Sequence, residues 1–389
     1  MQMKVGIVQN GISYGGRLTV IVQMIASLNK RGIVPDIIVF RSKITPEGVK
    51  EKYGLDINFR IRKIAHFLPR IKHRIPHEIN MLAFNLALKR ICHQYNYFID
   101  SNNTSFLMPA DIPIFSYVHF PRIARLKSKY MSIHHPDGPR KRWICPEGFC
   151  LKTLGLVYSF HSISDNNFLT ANSQFTKANI KQYYPAYNKE IPVIYPPVYT
   201  GQKSPKKFEE RDNNICSVGR FCRDKRQFEQ IKLAQKLPDW NFHLIGFANE
   251  KCLFMKRLRK YIETYNIKNV FLHLNVSKNE KENLLQRSKF FIHPNINEPF
   301  GITTVEGISN GCIPLVHNSG GQKEIVPFEK LRFDEIEDLD GFFEEMKDSD
   351  EKYVALLSKL VEHCRNESSL EKFSERFGKC LNYFEKNYL

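Results

Sequence analysis

The chain has 389 residues, 42% of them apolar, which is typical of a globular protein with enough sequence for two domains. Its 58 Lys and Arg outnumber its 40 Asp and Glu and give a formal net charge of +18, and nine scattered cysteines favour reduced thiols over a disulfide framework. The most apolar stretches run about a dozen residues, too short to cross a bilayer.

The N-terminal half alternates strands and helices, as a parallel α/β sheet does. "KVGIVQN" predicts a first strand that starts directly, without a signal peptide. A glycine loop, "GISYGG", and a helix closed by Gly32 follow. Further strands are predicted at "VPDIIVF", "YNYFIDS", "PIFSYVHF" and "NFLTANS".

Most of the positive charge lies in this half, because residues 1–200 hold 27 Lys and Arg against 11 Asp and Glu. Segment 59–76 has six basic side chains and no acid: Arg60, Arg62, Lys63, Arg70, Lys72 and Arg74. Such a field attracts a phosphorylated substrate, nucleic acid or anionic lipid headgroups. We expect the segment to dock on an anionic membrane, with apolar residues such as Phe59 and Ile61 inserted shallowly, although a solvated basic loop fits the same sequence.

A stretch rich in proline and charge, residues 191–213, predicts an interdomain linker. After the linker, further strands are predicted at "NNICSVGRF", "NFHLIGF", "KNVFLHL", "KFFIHPN" and "CIPLVHN". The acidic run 333–353 predicts a pair of solvated helices. The predicted domains are residues 1–195 and 196–370, and residues 371–389 are a helix expected to pack back towards the first domain.

In the second half, "NEPFGITTVE" places Glu298 and Glu306 eight positions apart around a Pro-Phe-Gly turn. The element follows a predicted strand, at the edge where open α/β sheets bind ligands, and leads into a helix whose first amides can meet anionic oxygens. Those amides belong to Phe300, Gly301, Ile302 and Thr303. Glu298 suits sugar hydroxyls and Glu306 the two hydroxyls of a ribose; the ordinary alternatives are a surface loop acid and a helix N-terminal acid.

Three other places offer groups for the same kind of ligand. Arg220 and Lys225, in the loop after a predicted strand, are spaced to bracket a diphosphate. Gly15 and Gly16 offer bare amides to a phosphate but match neither GxGxxG nor GxxxxGK[ST], which argues against a Rossmann dehydrogenase and a P-loop NTPase. His119 ends a predicted strand, where it is either structural or a hydrogen-bond partner for a substrate.

Together these elements resemble the retaining glycosyltransferases of family 4, which have the GT-B fold. The resemblance runs over nearly the whole chain and is carried by "EPFGITTVE", "GCIPLVHNSGGQKEIV", "SVGRFCRDK" and the N-terminal glycine loop. "YVHFP", "TANSQFTKANI" and "VIYPPV" resemble the branch that contains the dolichol-pathway alpha-1,2-mannosyltransferase. The resemblance implies an α/β architecture of two facing Rossmann-like domains with a cleft between them.

The resemblance also implies roles for the candidate residues. Glu298 would contact the transferred sugar near the reaction centre, and Glu306 would hold the donor ribose. Arg220 and Lys225 would hold the donor diphosphate, and His119 would lie over the sugar from the first domain. The glycines of the first loop would let the backbone approach the diphosphate. No metal or other cofactor is expected when two cations neutralise that diphosphate, and the Asp-x-Asp-like "DSD" lies in a generally acidic stretch with no strand before it.

The implied activity is retaining, metal-independent transfer of a hexose to a saccharide or lipid-linked saccharide. Mannose from GDP-mannose is the first choice of donor, and UDP-linked sugars are the second. The expected setting is cytoplasmic, peripheral on a membrane. The residues leave other functions open: a nucleotide-sugar epimerase, a phosphorylase, a glycoside hydrolase using both carboxylates, or a non-enzymatic binder of nucleic acid or anionic surfaces.

Overall fold

The computed structural model describes residues 3–12, 16–42, 44–65, 77–101, 108–109, 111–121, 123–124, 163–198, 207, 210–250, 252–339, 341–343 and 350–389. The chain divides into two compact units. One comprises Met1–Pro197 and Leu370–Leu389, and the other Val198–Ser369. The division falls two residues after the predicted boundary at 195, and the C-terminal helix belongs to the first unit.

The first unit is built on a parallel sheet with strand order β3-β2-β1-β4-β5-β6. Its strands are β1 (Val5–Ile12), β2 (Asp36–Ser42), β3 (Arg60–Lys63), β4 (Tyr97–Asp100), β5 (Ile114–Val118) and β6 (Asn167–Ala171). The helices described between them are α1 (Gly16–Asn29), α2 (Pro46–Tyr53) and α3 (His77–Lys89), with a 3-10 turn at Cys92–Gln94, and α4 (Gln174–Tyr183) follows β6. This is the strand order of a doubly wound, Rossmann-like sheet.

The second unit repeats the plan with strand order β12-β11-β10-β7-β8-β9, again parallel. Its strands are β7 (Asp212–Val218), β8 (Asn241–Gly246), β9 (Val270–Leu274), β10 (Ser288–His293), β11 (Ile313–His317) and β12 (Arg332–Phe333). Its described helices are α5 (Gln227–Lys236), α6 (Leu253–Thr264), α7 (Lys278–Arg287), α8 (Ile302–Ser309), α9 (Gln322–Ile325) and α10 (Asp350–Ser368). Described 3-10 turns lie at Arg223–Lys225, Glu329–Leu331 and Ile336–Leu339. Counted from β7, the strand order is again that of a doubly wound sheet.

The C-terminal helix α11 (Leu370–Tyr388) packs on the core of the first unit. Its apolar residues recur at helical spacing, and the buried ones are Phe373, Phe377, Leu381 and Phe384. These side chains join the cluster formed by α1 and the first sheet, where the rings of Phe115 and Phe377 meet edge to face with centroids 5.4 Å apart. The last helix of the sequence thus completes the core of the first unit.

The structure corrects the expectation for the start of the basic segment. Residues Arg60–Lys63 form strand β3 at the edge of the first sheet, paired with β2. Phe59 is buried in the core and Ile61 packs against it, because alternate residues of a strand point to opposite faces. Neither side chain is therefore available for insertion into a membrane.

The acidic run 333–353 is only partly helical over its described part. It begins in strand β12, continues as the 3-10 turn Ile336–Leu339, is helical again at residues 341–343, and enters helix α10 at Asp350. Its interspersed apolar side chains are buried: Phe333, Ile336, Leu339 and Phe343. Among the described residues, no helix is both long enough and apolar enough to cross a membrane.

Candidate active site

The candidate ligand-binding edge of the second unit lies where strands β7 and β10 end. These strands are neighbours, and the chain order reverses between them. Open α/β sheets bind ligands outside the carboxyl ends of their strands at this kind of switch point. The loop after β7 carries Arg220 and Lys225, and the loop after β10 carries Glu298, so the fold brings both predicted elements to one edge.

The loop after β7 is hydrogen-bonded to side chains of helix α5. Gln227 and Gln230 are buried, and their side-chain amides donate to the backbone carbonyls of Arg220 and Lys225, each at 2.9 Å. The methylene stem of Lys225 lies against Gly219, where a Cβ would be only 3.0 Å from Lys225 Cδ. The glycine therefore leaves the space across which the lysine extends its ammonium group.

The other cations of this loop point in different directions. Arg226 has a left-handed backbone with φ +50°, and its guanidinium faces Glu229 at 3.7 Å and Glu335 at 3.8 Å. Arg220 is exposed on the loop. Of the cations flanking Lys225, Arg226 is thus committed to acidic partners of its own, while Lys225 turns towards the loop after β10.

Three groups converge on a single oxygen of Glu298. Its Oε2 accepts from Lys225 Nζ at 3.1 Å and Asn295 Nδ2 at 2.8 Å, and it lies 3.5 Å from His293 Nε2. Burial acts to raise the pKa of Glu298, but the charge of Lys225 and the hydrogen bonds from His293 and Lys225 outweigh it and hold that pKa well below its usual range. Within the described part of the chain, Oε1 has no hydrogen-bond partner. The carboxylate is ionised, fixed through one oxygen, and able to accept through the other.

His293 was missed as a site residue by sequence reasoning. It is the last residue of β10, it is buried, and its Nδ1 lies 2.9 Å from the hydroxyl of Thr304 on α8. Its Nε2 lies 3.5 Å from both Lys225 Nζ and Glu298 Oε2. Burial lowers its pKa and the nearby charge of Lys225 lowers it further, so the imidazole is neutral at pH 7. His293 thus links helix α8 to the Lys225–Glu298 pair. Its position as the final residue of a predicted buried strand was the sequence feature that could have indicated a site residue.

Helix α8 starts at the same edge. Gly301 precedes it with φ +110°, a backbone conformation that favours glycine. The amide of Thr304 donates to the Gly301 carbonyl at 2.9 Å, so the amides of Ile302 and Thr303 come at the N-terminus of the helix, where intrahelical acceptors are lacking. Phe300, which precedes the glycine, is buried.

Glu306 lies further along α8 and is paired with a residue that the sequence did not single out. Its Oε2 accepts from Lys281 Nζ on α7 at 2.8 Å, and both side chains are partly exposed. In the described part of the chain, Glu306 Oε1 has no hydrogen-bond partner. Both predicted carboxylates therefore share one arrangement, in which a lysine holds Oε2 and Oε1 remains able to accept.

The Gly-Gly pair of the sequence supports the loop that carries Glu298. The amide of Gly321 donates to the carbonyl of Glu298 at 2.8 Å. A Cβ at Gly321 would lie 2.2 Å from the carbonyl oxygen of Pro299, and one at Gly320 would lie 2.5 Å from that of Glu298. Only glycine allows the two backbone segments to approach this closely, which gives the pair a structural role beside the site.

In the first unit, His119 follows β5 at the carboxyl edge of its own sheet. Its Nε2 lies 3.1 Å from the hydroxyl of Ser101, which follows the neighbouring strand β4. Gly16 begins helix α1, and Gly15 lies outside the described residues. The predicted contacts of His119 and of these glycines with a donor stay predictions.

Two of the three described basic residues of the proposed membrane segment have partners within the first unit. Arg60 donates to Asp36 at 2.7 Å, and Arg62 donates to the hydroxyl of Tyr95 at 2.9 Å. Lys63 is exposed at the end of β3. The remaining predicted members, Arg70, Lys72 and Arg74, lie outside the described residues.

The groups at this edge of the second unit suit a ligand with many hydroxyls and a phosphate. Two carboxylates and a neutral imidazole can exchange hydrogen bonds with hydroxyls, and an ammonium and helix amides can meet anionic oxygens. Across the residues that the structure describes, no group of three or more His, Cys, Asp or Glu side chains is arranged to hold a metal ion.

Comparison with known sequences agrees with this chemistry. A model of the family described as glycosyl transferases group 1 matches residues 200–377. The GDP-Man:Man(3)GlcNAc(2)-PP-Dol alpha-1,2-mannosyltransferase of Homo sapiens is 27% identical over 293 residues, and the match covers 68% of this chain and 57% of that protein. The enzyme of the same name from Dictyostelium discoideum is 24% identical over 313 residues, 72% of this chain and 60% of the relative. The chain spans little more than half the length of these relatives.

Solved structures resemble the protein over almost its whole length. Anabaena Alr3699/HepE in complex with UDP and glucose superposes with a TM-score of 0.66 at 16% identity, covering 98% of this chain and 100% of that one. Sucrose-phosphate synthase from Thermosynechococcus elongatus gives a TM-score of 0.70 at 13% identity, covering 99% and 100%. At such identities the likeness concerns the fold alone. That fold is GT-B, so the predicted fold class is confirmed.

Proposed function

We propose that the protein is a retaining hexosyltransferase that uses a nucleotide-sugar donor. The proposal is supported by the match of residues 200–377 to the glycosyl transferases group 1 family model and by the GT-B fold. Mannose from GDP-mannose is the proposed donor, and a UDP-linked sugar is the second choice. The acceptor is a saccharide or a lipid-linked saccharide. The mannose and the lipid link are supported by the names of the relatives, which specify GDP-Man and a PP-Dol acceptor.

The observation that carries the proposal is the matched pair of carboxylates at the switch point of the second sheet. Glu298 and Glu306 are each held at Oε2 by a lysine, and each keeps Oε1 as an acceptor. A sugar hydroxyl next to Glu298 and a ribose diol next to Glu306 would each donate a hydrogen bond to the remaining Oε1 atom. The amides of Ile302 and Thr303, together with the charge of Lys225, then meet the diphosphate that joins sugar and ribose.

The chemical step needs stabilisation of the leaving group. The acceptor oxygen bonds to the anomeric carbon on the face from which the diphosphate departs. The bond from that carbon to the diphosphate oxygen breaks, its electron pair goes to the diphosphate, and the proton of the acceptor hydroxyl passes to that oxygen. Positive groups that are held in place before the reaction stabilise this charge without reorganising. Electrostatic stabilisation of this kind is among the largest contributions to enzyme rate enhancement. Lys225, with Arg220 on the same loop, supplies this charge. We propose that no metal ion is required.

Glu306→Gln should weaken binding of the nucleoside diphosphate about 10- to 100-fold, because the ribose hydroxyls lose a charged acceptor worth about 1.5–3 kcal/mol. A thermal-shift panel of nucleotides and nucleotide sugars would first select the ligand, and calorimetry would then give its Kd for both proteins. Glu362→Gln, at an exposed position on α10, is the matched control and should bind as the wild type does. Equal affinity of the Glu306 variant and the wild type would contradict the ribose assignment.

We further propose that the protein acts in the cytoplasm, peripheral to an anionic membrane from which a lipid diphosphate acceptor is reached. With Phe59 and Ile61 packed in or against the core, the attraction would be electrostatic, at about 1 kcal/mol for each Lys or Arg near the surface. Co-sedimentation with anionic vesicles should decrease as salt is added. It should decrease further when basic residues of the segment are removed. The variant for this test changes the exposed Lys63 to Gln, together with Arg70, Lys72 and Arg74, which lie outside the described residues. Unchanged sedimentation of that variant would show that the segment does not dock.

A further inference from the structure

The strongest observation outside the predicted residues is the side chain of Lys281. Its Nζ donates to Glu306 Oε2 at 2.8 Å, across 25 positions of sequence, and the two side chains are 23% and 29% exposed. In the described part of the chain, Glu306 is the one ion-pair partner of Lys281. A surface pair of this kind adds little stability, so its geometry at the ligand edge calls for another explanation.

The start of helix α7 is tied to the ligand edge. Ser277 caps the helix by accepting from the Glu280 amide at 3.2 Å, which fixes the first turn that presents Lys281. Asn275, just before the cap, has φ +56°, and its amide donates to the carbonyl of Gly246 at 2.9 Å. The turn before helix α7 is therefore hydrogen-bonded to the end of β8, where the next loop begins.

That loop is in turn packed on the loop that carries Lys225. A Cβ at Gly246 would lie 1.7 Å from the carbonyl oxygen of Gly219, so the two backbones are in direct contact. The Asn275 side chain also bonds the backbone of Ala248 in both directions, at 3.3 Å and 3.1 Å. Lys281 is thus positioned by the same framework as the groups proposed to meet the diphosphate.

We propose that Lys281 is a positioning residue that makes the site selective for a nucleotide carrying ribose hydroxyls. By holding Oε2, it prevents the carboxylate from rotating and aims Oε1 at the diol. Its charge also neutralises Glu306, so the carboxylate does not repel the diphosphate of the same ligand. The inference rests on the proposed function, in which Glu306 binds the ribose.

If Lys281 only attracted phosphate, it would change the affinities for different nucleoside diphosphates in another way. In that case the lysine would act on any nucleoside diphosphate, whatever its sugar. The two roles separate when affinities are compared for GDP and for 2′,3′-dideoxy-GDP, which carry the same charge and differ only in the hydroxyls. A purely structural ion pair would leave the ratio of the two affinities unchanged.

Calorimetry on the full chain with GDP and 2′,3′-dideoxy-GDP gives the test. The wild type should prefer GDP by about 10-fold or more, as expected for hydroxyls bonded to a charged acceptor. Lys281→Met should reduce this preference to about threefold or less, chiefly through weaker binding of GDP, and Lys281→Arg should restore it because the charge and a donor return. Lys278→Met, on the same helix turn but with a side chain 57% exposed and facing Glu282, should keep the wild-type preference.

Three results would overturn the inference. If Lys281→Met weakens both ligands by the same factor, the residue attracts phosphate and does not select the ribose. If the preference for GDP survives in Lys281→Met while Glu306→Gln abolishes it, the ribose site stands and only the role of Lys281 is wrong. A wild type without any preference for GDP would instead refute the ribose site, and the inference with it.

Discussion

Replacing Lys225 by methionine should reduce turnover by about 100-fold or more, the loss typical of removing one preorganised group that stabilises developing negative charge. The lysine lies 3.1 Å from Glu298, in a loop whose backbone is fixed by buried glutamines. Methionine has a similar unbranched side chain that can lie against Gly219 and lacks the ammonium group, so the fold should persist. Single-turnover rates with saturating donor measure the loss.

The same variant should also change the pH dependence. In the wild type, the charge of Lys225 overcomes burial and keeps the pKa of Glu298 well below its usual range, so this carboxylate stays ionised as the pH falls. Without that charge, burial raises the pKa, and the acid limb of the rate profile should move to higher pH. Lys232→Met, on the exposed face of α5, is the control for loss of a positive charge nearby and should match the wild type. Turnover of the Lys225 variant within threefold of the wild type would refute the role given to this residue.

Gly321→Ala should lower turnover by about 10- to 100-fold while leaving the affinity for nucleotide less affected. The new Cβ would meet the Pro299 carbonyl oxygen at 2.2 Å, so the loop carrying Glu298 must shift, and a misplacement on the order of 1 Å can cost about 100-fold in rate. Gly321 has φ −73°, so alanine itself brings no backbone strain and the effect comes from contact alone. Glu306, on the far side of the helix start, should still hold the ribose.

Gly341→Ala is the matched control for this substitution. Among the described residues, no atom lies within 4 Å of the position that its Cβ would occupy, so turnover and melting temperature should be unchanged. For Gly321→Ala, circular dichroism would establish that the fold is retained before rates are compared. Full activity in a folded Gly321 variant would mean that the Glu298 loop tolerates displacement, and the close backbone contact would then have no role in catalysis.

Much of the fold could be predicted because buried parallel strands are short apolar runs bounded by glycine and polar residues. β4, β5 and β6 are fully buried over their length, and each was found from such a run. Strand β3 was overlooked, although "FRIRKI" alternates basic and apolar residues, because the density of charge indicated a membrane-docking segment. In the acidic run, isolated apolar residues such as Phe333 and Ile336 marked buried positions that the charge pattern concealed.

The site could be predicted only in part, for a physical reason. Glu298 and Glu306 stand in one local element with a recognisable turn, whereas their partners come from distant positions. Lys225 lies 73 residues from Glu298, and Lys281 is 25 residues from Glu306 on a different helix. Such pairs depend on which strands become neighbours, and the strand order is a property of the whole sheet.

The central claim, donor-dependent transfer of a hexose with retention, is tested most directly by following nucleotide and sugar together. Purified protein would be incubated with labelled GDP-mannose and a panel of mannose-terminated saccharides, free or linked to a polyprenyl diphosphate, in magnesium and in EDTA. We expect release of GDP only with an accepting saccharide, in equal amount to a new α-linked mannose, and at the same rate in both buffers. GDP or altered sugar released without an acceptor would indicate an epimerase or hydrolase. An inverted linkage would contradict retention, and strong inhibition by EDTA would contradict metal independence.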